Sequence, residues 1–210
     1  VASRGLGDVY KRQHVNKGFS VASWDRAVER LEKYNLRIKT YLMFKPPFMS
    51  EADALDHCVK WIEAVAEKSD EISINPMNIQ RGTVIDRLHR HQEYRPPWLW
   101  SLVELIQKSH HIVHPKGGMN GDEDQISRLI IHPTAGGKIR GSHNCGECDA
   151  EVVAAIERYA VSGSLEEFTG IDCDCKSLWR KELENDRAIP VPLGTSRQRR
   201  GSIIEMLRSS

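Results

Sequence analysis

The chain has 210 residues, 40% hydrophobic and 28% charged, enough to bury one core and to carry one small appendage. Its 30 Lys and Arg face 29 Asp and Glu, a net charge of +1, which excludes nucleic-acid binding by bulk charge and leaves only local basic patches. No apolar run approaches bilayer length and no charged-then-apolar leader opens the chain, so no membrane span is expected and the five cysteines are expected in a reducing cytoplasm.

Residues 1–13 resemble a translated sequencing adapter and are set aside as non-native; native sequence is expected from near His14, in mid-protein. Ser23 is placed to cap a helix on which Trp24, Ala27, Val28, Leu31 and Tyr34 share one face. A β-rich run at 38–44 stops at Lys45-Pro46-Pro47, since consecutive prolines cannot donate to a ladder. Ser50 with Asp53 makes a variant capping box, and Leu55, Cys58, Val59, Ile62 and Ala66 follow at helical spacing. Cys58 falls on that stripe and reads as a small core hydrophobe.

A short strand at 71–75 leads into a polar loop, and Thr83 with Asp86 opens another helix carrying Val84, Ile85 and Leu88. Pro96-Pro97 starts an apolar helix at 98–106. The glycine-rich, acidic stretch 116–124 reads as a solvated loop, and a last strand at 128–132 precedes Pro133-Thr-Ala-Gly-Gly137. Strands alternating with helices argue for parallel βαβ units, hence a doubly wound sheet or the later portion of an α/β barrel.

Ligands of such folds gather where loops leave the C-terminal ends of strands. Three exits here carry polar groups: Lys45; Asn75, Asn78 and Gln80; and Thr134 with Gly136 and Gly137. Amides there can donate to and accept from a ribose, a base or an amino-acid head group. Equally, Asn and Gln can simply tie turns together.

Four cysteines fall in two tight pairs, Cys145-Gly-Glu-Cys148 and Cys173-Asp-Cys175. Two such pairs can complete a tetrahedron of thiolates around zinc, with His143 as a spare ligand. An iron–sulfur cluster, a labile disulfide and four independent thiols remain alternatives on the same residues. Asp149 is placed to cap a helix bearing Val152, Val153, Ile156, Tyr159 and Ala160; Ser164 and Glu167 form a further capping box, and a charged helix runs over 176–186. From Ala188 the prolines and the basic run Ser196-Arg-Gln-Arg-Arg-Gly-Ser202 read as a flexible tail.

The stretches Tyr41-Leu-Met-Phe-Lys-Pro-Pro-Phe-Met-Ser-Glu51, Ile72-Ser-Ile-Asn-Pro-Met-Asn-Ile-Gln-Arg-Gly-Thr83 and Glu93-Tyr-Arg-Pro-Pro-Trp-Leu-Trp-Ser101 occur in that order. Gly136-Gly-Lys-Ile-Arg-Gly-Ser-His-Asn-Cys-Gly-Glu-Cys148 and Cys173-Asp-Cys-Lys-Ser-Leu-Trp179 follow. Together, over roughly residues 14 to 187, these stretches resemble the radical SAM proteins of archaeosine biosynthesis, relatives of the elongator-type radical SAM enzymes. The resemblance implies an α/β fold: the C-terminal portion of a radical SAM partial (β/α) barrel at 14–134 and a small helical cysteine-rich extension at 135–187, with the tail at 188–210 beyond it. It implies S-adenosylmethionine and a four-iron four-sulfur cluster in the complete enzyme. A 5′-deoxyadenosyl radical would act on the lysine adduct of a deazaguanine base in tRNA, leading to carbon–nitrogen cleavage.

The partners so implied are tRNA and the lysine-transferring subunit of archaeosine synthase. Lys45, Asn75, Asn78 and Gln80 match strand-end motifs and are expected, as a set, to contact S-adenosylmethionine or the modified nucleoside. Arg81, Arg95, Lys138 and Arg140 are candidates for tRNA phosphates, and Tyr94 or Trp98 for stacking on an extruded base. The family's C-x-x-x-C-x-x-C cluster motif does not occur, so this chain alone is not expected to generate the radical. Two other readings stay open: a noncatalytic zinc-stapled module that binds RNA or protein, and a radical SAM relative with another tRNA substrate.

Overall fold

The computed structural model describes residues 21–113 and 128–188. The expectations for 1–13, for the loop at 116–124 and for the basic tail lie outside the described residues.

Three strands form one parallel sheet in the order β1-β2-β3: β1 (Lys39–Phe44), β2 (Glu71–Pro76) and β3 (Arg128–Ile131). Lys39 pairs with Glu71 and Phe44 with Pro76, while Glu71 also pairs with Arg128 and Ile74 with Ile131. The helices are α1 (Val21–Lys33), α2 (Glu51–Ala66), α3 (Val84–Arg90), α4 (Leu99–Val113), α5 (Asp149–Ser162) and α6 (Cys175–Ala188), with a 3₁₀ turn at Leu165–Phe168. The α/β architecture with an open parallel sheet is as the alternating pattern requires.

Local chemistry sets most boundaries. Ser50 Oγ accepts from Asp53 N at 3.1 Å and Thr83 Oγ1 from Asp86 N at 3.3 Å, each satisfying a donor left free by a helical first turn. Three expectations are corrected. Ser23 lies inside α1 rather than capping it, and Tyr34, past the helix end, is exposed. Trp98 precedes α4, which runs past the expected end at Ile106 to Val113, where Ser109 and Val113 are also buried. Asp149 is the first residue of α5, not its cap: its carboxylate turns back into the preceding loop.

Leu42 and Phe44 of β1, Ile72 and Ile74 of β2, and Leu129 and Ile131 of β3 bury into one cluster with Leu55 and Ile62 of α2 and Leu99, Leu102, Leu105 and Ile106 of α4. Each such fully buried side chain contributes about 1.5–3 kcal/mol. Val152, Ile156 and Tyr159 of α5 and Trp179 and Leu183 of α6 belong to that same cluster. The cysteine-rich extension therefore shares the sheet's core rather than standing apart on its own. A satellite cluster of Ile79, Ile85, Leu88 and Tyr94 packs the loop after β2 against α3.

Candidate metal centre and strand-end site

The two cysteine pairs converge. Cys145 and Cys148 Sγ are 3.9 Å apart, Cys145 and Cys173 3.7 Å, and Cys148 and Cys175 3.7 Å; all four sulfurs lie within 4.8 Å of one another. A tetrahedron with metal–sulfur bonds of about 2.3 Å has edges of about 3.8 Å. None of the five cysteines is in a disulfide. His143 is outside this group; its Nδ1 lies 2.9 Å from the Gly141 carbonyl.

The knuckle is built locally. Gly146 sits at φ +100°, a conformation that side chains resist, so the turn between the two cysteines needs glycine there. Asp149 Oδ1 accepts from Asn144 N at 2.9 Å and Gly146 N at 3.2 Å, closing the loop onto the start of α5. Two donors reach the buried sulfurs: Asn144 Nδ2 to Cys148 Sγ at 3.3 Å and Trp100 Nε1 to Cys175 Sγ at 3.2 Å. Hydrogen bonds of this kind neutralise thiolate charge and orient the ligand.

The four thiols differ in environment. Cys145 is exposed, and the Cys148 backbone N–H beside it holds its pKa down to about 7. Burial pushes Cys148 up to about 11 and drives Cys175 higher still. A cation at the centre would replace those protons.

Cys58, buried on α2, is pushed up to about 12 by desolvation alone, as expected of a core thiol.

At the C-terminal edge of the sheet, Lys45 follows β1 in the left-handed region at φ 51°, and Ala135 after β3 is at φ 57°. Non-glycine residues held so carry strain that is frequently found at functional sites. Lys45 is buried, its ammonium paired with the Glu51 carboxylate, whose other oxygen accepts from Trp98 N at 2.9 Å. Tyr94 Oη donates to the Lys45 carbonyl at 2.8 Å. Asn75, near the end of the pairing within β2, is exposed; in the loop beyond, Gln80 is exposed and Asn78 half-buried, with Gln80 Nε2 donating to Asn78 Oδ1 at 2.8 Å.

The four basic candidates divide. Arg81 and Lys138 are exposed. Arg140 is pinned inward: Nε donates to the Ile79 carbonyl at 3.1 Å and Nη2 to Asp86 Oδ1 at 2.6 Å. Arg95 donates to the His143 carbonyl at 2.9 Å and stacks 3.8 Å from the Trp98 ring centroid. Tyr94 and Trp98 are both buried, and Trp98 Nε1 donates to Glu182 at 2.7 Å. Arg95, Arg140, Tyr94 and Trp98 each have partners within the protein.

Several contributors carried no sequence signal for the role they play at the site. Asn144, Trp100 and Asp149 around the sulfurs, and Glu51 and Asp86 at the rim, lie far from their partners in sequence or lack a diagnostic spacing. Asp86 holds both Arg90 and Arg140 and accepts from Gly82 N, contacts that keep its carboxyl well below the usual range.

No protein-family model matches the chain. Archaeosine synthase subunit beta of Methanosarcina acetivorans is 36% identical over 177 residues, which is 84% of this chain and 48% of that protein. Its counterpart in Thermococcus kodakarensis is 33% identical over 172 residues, 81% of this chain and 50% of that protein. This chain is homologous to archaeosine synthase subunit beta. An uncharacterized protein of Methanocaldococcus jannaschii is 28% identical over 202 residues, 94% of this chain and 52% of that protein. The chain thus spans about half the length of the curated relatives it matches. Among the described residues no helix is long and apolar enough to cross a membrane.

Proposed function

We propose that this chain is the later part of a radical SAM enzyme of archaeosine biosynthesis, one that cleaves a carbon–nitrogen bond in the lysine adduct of a deazaguanine base in tRNA. Homology to archaeosine synthase subunit beta over 84% of the chain carries the reading. The polar, partly strained exits on one edge of a parallel sheet support it. In this reading the protein works in the cytoplasm beside a lysine-transferring subunit.

S-adenosylmethionine and a four-iron four-sulfur cluster would supply the radical chemistry. The chain's own residues bind and orient. Asn75, Asn78 and Gln80 offer amides to a ribose, an amino-acid head group or the modified base. Lys45, neutralised by Glu51, braces the first exit. Arg81 and Lys138 face outward on two loops joined by the Ile79 N–H and the Arg140 carbonyl, and are suited to phosphates.

The cysteines of this chain do not fit a four-iron cluster. Such a cluster holds each sulfur on a separate iron, whereas four sulfurs here surround one point and Cys58 is buried alone. The cluster ligands are assigned to the part of the relatives' length that this chain does not span. The four-cysteine site is assigned one zinc ion, held by Cys145, Cys148, Cys173 and Cys175, with a structural role.

Disruption of the gene in its host, followed by mass spectrometry of tRNA nucleosides, tests the reaction. Archaeosine should disappear and the lysine-bearing base accumulate; unchanged archaeosine overturns the assignment. Elemental analysis of the purified, reduced chain tests the metal. About one zinc per chain is expected, and iron with sulfide in its place refutes the zinc assignment.

A further inference from the structure

One stretch of chain, 140–148, serves the strand-end rim at its start and the cysteine centre at its end. The Arg140 carbonyl accepts from Ile79 N at 2.8 Å, while its guanidinium grips the Ile79 carbonyl and Asp86. His143 N donates to the Pro97 carbonyl at 3.2 Å and the His143 carbonyl accepts from Arg95. Asn144 Oδ1 accepts from Trp100 N at 3.2 Å, a donor in the first turn of α4 that has no helical partner, and Asn144 Nδ2 reaches Cys148 Sγ. Trp98, under Arg95, in turn donates to Glu51, which holds Lys45. Two of the three polar strand exits are therefore fastened through residues one to five positions from a metal ligand.

The stretch has little slack. A Cβ on Gly141 would stand 2.1 Å from the Ala135 carbonyl oxygen, so the backbone there is pressed against the exit from β3. Gly137 N donates to the Ser142 carbonyl at 2.9 Å, which fixes the same turn again. A shift at Cys145 is thus passed to Asn144 and His143, and from them to α4 and the loop after β2.

We propose that zinc occupancy of the four-cysteine centre sets the placement of the strand-end loops, so that metal binding and rim geometry are thermodynamically coupled. The proposal rests on the metal assignment above. Coupling between two sites is reciprocal: whatever the metal does to the rim, loosening the rim must do to metal affinity by the same factor. Asp86 provides the lever, because it holds Arg140 and belongs to α3, outside the group of four cysteines.

Zinc affinity of Asp86→Asn and wild type is measured by competition with a chromogenic chelator, with circular dichroism to establish that both are folded. The variant should bind zinc about 5-fold or more weakly, the lower end of typical coupling. Equal affinity, within a factor of about two, overturns the proposal while leaving the metal assignment standing. On wild type alone, amide exchange of Ile79 and Trp100 should quicken at least about 5-fold when zinc is chelated, with Ile72 in the sheet as reference. Exchange at Ile79 and Trp100 that ignores zinc also overturns the coupling. A wild-type chain that binds no zinc overturns both the assignment and the proposal built on it.

Discussion

Glu51→Gln is the perturbation whose size the structure fixes most directly. The Lys45–Glu51 pair is buried on both sides, with side chains 6% and 0% exposed. Neutralising one partner of such a pair leaves the other charge without compensation and costs about 3–5 kcal/mol. Glutamine keeps an oxygen for Trp98 N, so the lower end, about 3 kcal/mol, is expected. For a chain of this size each kcal/mol moves the melting temperature by about 2–4 °C, which gives a drop of about 6–12 °C by thermal circular dichroism. The double variant Lys45→Met/Glu51→Gln removes both charges at similar volume and should recover most of that loss. A single variant that melts within about 2 °C of wild type, or a double variant no better than the single, refutes the argument that desolvated charge dominates there.

Cys145→Ser and Cys175→Ser should each abolish stoichiometric zinc by elemental analysis; the second, at a buried sulfur bonded to Trp100, should also cost more helicity. Retention of one metal per chain in both would dismiss the four-thiolate centre. Asp86 titrates below its unfolded value, so its contribution is complete above about pH 4 and is lost as pH falls into the acid range. Urea midpoints between about pH 5 and pH 3 should therefore fall more steeply for wild type than for Asp86→Asn, the two curves converging in acid; parallel curves would contradict this. Cys58, with its thiol pushed up to about 12, should resist alkylation by iodoacetamide in the folded chain and react once urea unfolds it. Equal rates in both states would show that the stripe on α2 is not buried.

Elements whose signal is local were legible from residues alone. The caps at Ser50 and Thr83, the two prolines before α4 and the β-rich run at 38–44 each encode their outcome within a few residues. The cysteine pairs were legible for the same reason, since a knuckle spacing states its geometry directly. Ser23 and Asp149 misled because a capping residue type is neither necessary nor decisive: α5 starts after Cys148 with no side-chain cap, while Asp149 accepts from the Asn144 and Gly146 amides of the preceding loop. The destinations of Arg95 and Arg140 were illegible in principle. Their partners, the His143 carbonyl and Asp86, are 48 and 54 residues away in sequence, and an arginine that braces a loop has the same letter as one that meets a phosphate.

The interleaving of α6 with the sheet side of the molecule orders events during synthesis. Ala52 N donates to Asp186 Oδ2 across 134 residues, Trp98 Nε1 to Glu182 across 84, and Trp179 Nε1 to Ser101 Oγ across 78. Contacts this distant in sequence close late and slowly. At a ribosomal rate of about 5–20 residues per second, the stretch from α2 to α6 takes of the order of ten seconds to emerge. Throughout that interval the second cysteine pair is missing and the indole of Trp98 has no carboxylate. A metal ion held by all four cysteines could therefore be captured only after the start of α6 has emerged, when the three strands and α1 to α5 have already been made.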